Sequence, residues 1–296
     1  LKGQPMNSNF TRRRFLKTVV VSAGAVGAGG LVGCGGSGSS QFEDDNTPGT
    51  GGTDINTITD ESLFIVNKAT DANTFPQSVA SGDPRHNSII LWSRIESGSS
   101  ADLGAALQVS TSKTLFDDTT IVARAQLLAE ADHDHCMRVK INNLGSGTTY
   151  YYRFIYDGIP TKVGRFKTAP SFTSTGDVKF GFASCQDFVG RYYNSYLKFL
   201  EPEHIDTIDF IVHLGDYIYE TDGDPAFQAT APADRQIDFT DEASSITLTS
   251  GGQQFHAASA LSNYRDLYKA YRSDAKLQEL HENFAFICIW DDHEFS

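Results

Sequence analysis

The chain has 296 residues, with 24 Lys and Arg against 37 Asp and Glu and a formal net charge of −13. That length admits one large domain or two ordinary ones. An acidic chain without a basic stripe excludes nucleic acid as a dedicated partner, and four cysteines give no disulfide framework.

Leu1 to Pro5 precede Met6 and read as read-through ahead of a start. Thr11-Arg12-Arg13-Arg14-Phe15-Leu16-Lys17 reads as a twin-arginine export signal, with Arg12 and Arg13 as its pair. The mildly apolar run from Thr18 to Val32 is shorter than the roughly 20 residues a spanning helix needs. Leu31-Val32-Gly33-Cys34 reads as a lipoprotein processing site, with Cys34 as the lipidated thiol. Residues 1–34 are therefore expected to be signal. The partners implied are the export machinery and, through the lipid anchor, the membrane. Residues 35–63, rich in Gly, Ser, Thr and Asp, cannot bury enough apolar surface to order themselves and are expected to form a flexible tether.

From 64 to 170 the pattern is all-β. Ser88 to Ile95, Ala106 to Ser110, Met137 to Ile141 and Thr149 to Tyr156 read as strands, with a turn at Leu144 to Thr148. Regular spacing of this kind predicts a sandwich. The Leu-turn-Thr-Tyr-Tyr-Tyr-Arg-Phe segment and the closing Gly164 to Pro170 resemble a fibronectin type III-like module. His133 and His135, two apart on a strand, would share a face, but no matching ligand cluster accompanies them and solvated histidines are expected.

Residues 177–296 carry three short apolar runs. Val178 to Ala183 ends in Ser184-Cys185-Gln186, Phe210 to Leu214 ends in Gly215-Asp216, and Phe284 to Trp290 ends in Asp291-Asp292-His293-Glu294. Such runs suit strands buried on both faces, and ligands in open α/β sheets sit beyond the carboxyl ends of the strands. Thiol, carboxylate, phenol and imidazole chemistry therefore gathers at three successive strand ends. Asp216 and Tyr219, three apart, offer an oxygen pair for an oxophilic cation. A helix is expected over about 193–200, which makes a β-α-β step and a parallel strand pair. Thr221 to Gly252 reads as a long irregular loop walling the site, and Ala257 to Leu280 as one helix with Tyr264, Tyr268 and Tyr271 in an apolar stripe. Cys288, inside its run, is expected to be a small buried hydrophobe.

Ala183-Ser184-Cys185-Gln186, His213-Leu214-Gly215-Asp216-Tyr217-Ile218-Tyr219-Glu220, Tyr264 to Asp274 and Trp290-Asp291-Asp292-His293-Glu294 together resemble the PhoD-like branch of the calcineurin-type metallophosphoesterases. Val79-Ala80-Ser81-Gly82-Asp83-Pro84 resembles the opening of that family's β-domain. The fold implied is an N-terminal all-β fibronectin type III-like sandwich followed by the first part of an α/β metallophosphoesterase domain, a β-sheet sandwich flanked by helices. Because members of the family continue with further strands and a His-x-His segment, a chain cut short is the expectation.

The resemblance implies that Cys185, Asp216 and Tyr219 hold one metal, Fe3+, with Asp216 bridging to a second, Ca2+. Asp292, where many relatives have Asn, falls to the second metal. It further implies an attack of metal-activated water on phosphorus, with His293 as the catalytic residue. The activity implied is hydrolysis of phosphate mono- or diesters outside the cytoplasm, in the periplasm or at the cell surface, on a nucleotide, teichoic acid-like or phospholipid substrate. Two alternatives stay open at this point: an inactive, lipid-anchored β-sandwich binding protein, and a phospholipase D-type phosphodiesterase.

Overall fold

Alternating apolar residues build two β layers in the first part of the chain. The computed structural model describes residues 58–295 apart from 229–231 and 233. Arg12, Arg13, Cys34 and the tether as far as residue 57 lie outside the described residues. Strands β1 (Val79–Gly82), β2 (Ile89–Arg94) and β5 (Cys136–Ile141) lie antiparallel in one sheet. Strands β3 (Leu103–Ser110), β4 (Ile121–Ala129), β6 (Thr149–Tyr156), β7 (Ile159–Pro160) and β8 (Gly164–Lys167) make the other. Leu91 and Val139 from the first layer, and Leu107, Tyr152, Phe154 and Phe166 from the second, meet in one core.

The all-β reading of 64–170 holds. β1, β4, β7 and β8 lie outside the four expected strand segments.

The first layer does not stop at β1. Its other edge pairs in parallel with β13 (Ala285–Cys288), which is followed by β10 (Phe210–His213) and β9 (Phe180–Ala183). The result is a six-stranded sheet in the order β5-β2-β1-β13-β10-β9. The join runs through Ser81 opposite Ala285 and Gly82 opposite Phe286. A Cβ on Gly82 would stand 3.1 Å from the Phe286 carbonyl oxygen, close enough that the two strands would have to give by a few tenths of an ångström.

β9 and β10 are parallel neighbours, as the β-α-β reading requires. Their connection contains a short 3-10 helix at Asn194–Lys198 and a one-turn helix α1 (Pro202–Ile205). The helix expected over 257–280 is two helices, α2 (Leu261–Tyr271) and α3 (Ala275–Asn283). Asp274 explains the break: its carboxylate accepts hydrogen bonds from the amides of Lys276 and Leu277 and restarts the helix as an N-cap. The segment 221–252 is less irregular than expected. β11 (Ile246–Ser250) folds back on β12 (Gln253–Ala257) as an antiparallel hairpin.

α2 and α3 cover one face of the parallel strands, burying Ile211 and Phe286 with Leu267, Leu277 and Leu280. The expectation of strands buried on both faces fails on the opposite side. Phe180, Phe182 and Ile287 are 54%, 67% and 41% exposed, because among the described residues no second layer covers them. Among the described residues, no helix is long and apolar enough to cross a membrane.

Candidate metal centre

The ends of β9 and β10 are zipped beyond the last ladder pair. The Leu214 amide donates to the Ala183 carbonyl, that of Cys185 to the Gly215 carbonyl at 3.1 Å, and that of Gln186 to the Asp216 carbonyl at 3.0 Å. This lacing places Cys185 beside Asp216, with the Cys185 Sγ 3.2 Å from Asp216 Oδ2. Both residues hold left-handed backbone, φ +57° and +52°, a conformation uncommon outside glycine and seen at sites where the surroundings enforce it. Gly215, just before Asp216, has φ +100°, and any Cβ there would stand 2.5 Å from the Cβ of Asp291. A glycine is what lets the β10 and β13 loops touch.

The β13 loop closes the site from the other side. Glu294 accepts from the amides of Asp216 at 3.2 Å, Tyr217 and Asp291 at 2.9 Å, pinning the two loops together. Ligand atoms of Asp216, Asp292 and His293 then lie within 4.8 Å of one another. The Tyr219 ring packs on the His293 ring at 4.2 Å between centroids. The structure thus brings Cys185, Asp216, Tyr219, Asp292 and His293 to one place at the carboxyl ends of three adjacent parallel strands.

The residues fit a cation. Asp216 is 4% exposed, and its Oδ1 is buried with no hydrogen-bond partner. A carboxylate oxygen left in that state is costly unless a cation or donor reaches it. The Tyr219 phenol is held well above its usual range, first by burial and then by the facing Cys185 and Asp216. Crowded anionic donors of this kind are relieved by a bound positive charge.

Two contributors escaped the sequence reading. Glu220 sets its Oε2 2.6 Å from His293 Nδ1. Burial pulls the His293 pKa down, but the Glu220 hydrogen bond and charge outweigh it, and the net shift is upward. Glu294 acts as the clasp described above. Both stand inside the quoted motifs, yet nothing in their spacing distinguishes a second carboxylate that binds a histidine or an amide from one that faces solvent.

Phe227, from the segment expected to wall the site, packs against Tyr219 at 5.7 Å and His293 at 6.5 Å. Cys288 is a correction: it lies exposed rather than in the core, lining a cavity of about 470 Å3 beneath α2 with Trp92 and Tyr268. Burial on its inner side still pushes the thiol up to about 11. His133 and His135 do not converge. His133 ends a 3-10 turn with its Nδ1 2.8 Å from Glu130, and His135 corrects the expectation of a solvated ring: it is buried just before β5, with its Nε2 3.0 Å from the Ala101 carbonyl.

Thiol, carboxylate, phenol and imidazole groups gather at the ends of adjacent parallel strands in a mostly β-sheet protein with few helices, and they form a candidate metal centre. Residues 60–170 match the family model described as PhoD-like phosphatase, N-terminal domain, and residues 180–296 match PhoD-like phosphatase. The chain belongs to the PhoD-like phosphatase family. It is 32% identical over 238 residues to alkaline phosphatase D of Bacillus subtilis (strain 168), an alignment covering 78% of this chain and 37% of that protein. A solved structure of PhoD superposes with a TM-score of 0.63 at 27% identity, covering 77% of this chain and 41% of the other. The chain thus spans well under half the length of these relatives.

Proposed function

We propose that this chain supplies the metal-binding portion of a phosphoric ester hydrolase acting on phosphate mono- or diesters outside the cytoplasm. The observation that carries this reading is the buried, unpartnered Oδ1 of Asp216, set among Cys185, Asp292 and His293. Cys185, Asp216 and Tyr219 would hold iron, since thiolate and phenolate suit a ferric ion. Asp292, a hard oxygen donor, would serve calcium with Asp216 shared. A metal bound there supplies Lewis-acid polarisation of the phosphoryl group and lowers the pKa of water.

The chain's own groups do the rest. Glu220 occupies His293 Nδ1 and leaves Nε2 to give a proton to the departing oxygen. The same carboxylate favours the imidazolium that must be present before transfer. Tyr219 and Phe227, packed on the ring, fix its plane and keep water from that side. Glu294 holds the amides of Asp216 and Tyr217, so the Asp216 carboxylate keeps its orientation. Export by the Arg12 and Arg13 signal and anchoring through a lipid on Cys34 complete the proposal.

Cys185→Ala and Asp216→Asn are expected each to abolish iron binding and turnover of an aryl phosphate ester in the full-length protein. Metal content read by mass spectrometry decides it, and unchanged content in both variants would sink the assignment.

A further inference from the structure

A cleft of about 650 Å3 opens beside Cys185 and Tyr219 and runs away from them along the connection between β9 and β10. Cavities of that size take whole drug-sized ligands, and a phosphoryl group at the metal end fills only a corner of it. The remaining space belongs to whatever is attached to the phosphorus. The charges along its walls are few, and most are already committed. Asp187 accepts from the Val189 amide at 3.1 Å, the Gly190 amide at 3.2 Å and the Gln228 side-chain amide at 2.9 Å. Lys198 is paired with Glu201. Arg191 is exposed, donates only to its neighbour's Gly190 carbonyl at 3.2 Å, and has no ion-pair partner among the described residues.

We propose that Arg191 forms an anion subsite for the leaving group, so that the cleft selects phosphate esters whose leaving group carries a second negative charge. This rests on the hydrolytic reading of the adjoining metal centre. A planar guanidinium matches a carboxylate or phosphate in two parallel hydrogen bonds, a geometry a lysine does not reproduce. The subsite stands on the segment just after Cys185. Its floor is fixed by the Asp187 hydrogen bonds and by Tyr193, whose hydroxyl donates to the Gln186 carbonyl at 3.1 Å. Tyr192, next to Arg191, is held by a hydrogen bond of 2.9 Å to Asp234 and by the Arg235 guanidinium, 4.5 Å from its ring. The backbone that presents Arg191 is therefore braced on both sides, and only its side chain has to close on a ligand.

The test uses the full chain with its metals, and compares phenyl phosphate with 4-carboxyphenyl phosphate in wild type, Arg191→Ala and Arg191→Lys. The expected result is that the ratio of kcat/KM for the carboxylated ester over the plain one falls about ten- to a hundredfold in Arg191→Ala, the range of a hydrogen bond to a charged group. Arg191→Lys should restore part of the ratio. An unmoved ratio overturns the subsite, whatever happens to the individual rates.

Calorimetric binding of 4-carboxybenzylphosphonate against benzylphosphonate separates this inference from the hydrolytic reading. A preference for the carboxylated phosphonate that vanishes in Arg191→Ala, without turnover of either ester, keeps the subsite and removes the hydrolase. Equal binding of both phosphonates by wild type removes the subsite and leaves the hydrolase standing.

Discussion

His213 ends β10 with 0% exposure, and neither of its ring nitrogens has a partner. Burial pulls its pKa down to about 4, with the charge of Glu294 opposing only weakly. His281, whose Nε2 meets the Tyr217 hydroxyl at 2.7 Å, is also depressed by burial, with Arg272 and His213 adding to it. The folded state therefore refuses protons that the unfolded chain accepts below its ordinary value of 6.5. Stability is full above that value and drains as pH falls towards 4. For His213 alone the loss is about 2 kcal/mol by pH 5. Urea midpoints at pH 7.5 and pH 5 should differ accordingly, and His213→Leu should shrink the difference, His281 keeping the remainder. A drop of the same size in the variant would dismiss His213 as its source.

The convergence of Cys185, Asp216, Tyr219, Asp292 and His293 is legible in the sequence, because they stand at or just beyond the ends of apolar runs. The roles of Glu220 and Glu294 are not, since they depend on loops that meet only in space.

Among the elements, α3 shows how one side chain serves two ends. Asp274 caps the helix through the amides of Lys276 and Leu277 and at the same time pairs with Arg235, both side chains being almost fully buried. Arg235 in turn lies 4.5 Å above the Phe188 ring. The long segment before β11 is thereby tied to the helix that packs on the parallel strands. Asp274→Ala should cost about 1 kcal/mol for the cap and a further 3–5 kcal/mol or so for stranding a buried guanidinium. Asp274→Asn keeps the cap and isolates the pair, so the two variants' denaturation midpoints should fall in that order. Equal midpoints for Asn and wild type would show that the pair contributes nothing net.

The stripe of Tyr264, Tyr268 and Tyr271 ends with α2, and the break at Asp274 lies beyond it. Tyr271 is fully buried, whereas Tyr268 is 39% exposed and faces the cavity with Cys288. Periodicity reports that a residue is apolar, not which of two surfaces receives it.

At the scale of the molecule, the sheet joins what sequence pattern alone divides. Turn signals and the change from alternating to continuous apolar runs placed a boundary near residue 170, and the two matched family regions flank that position. Yet β1, from the first region, is hydrogen-bonded along the edge of β13 from the second. Strand partners so far apart in sequence leave no local trace. Unfolding either region exposes the edge of the other, so the two should melt together.

Trp92, on β2, and Trp290, just beyond β13, are the chain's two tryptophans, one in each region. Trp92→Phe and Trp290→Phe leave one reporter apiece, and the fluorescence midpoints of the two variants, corrected by calorimetry for each substitution, should coincide. Gly82→Val drives a side chain against the Phe286 carbonyl at the join and should lower both midpoints, or part them if the strands separate. Midpoints already apart without that substitution would mean that the shared sheet carries little of the folding cooperativity.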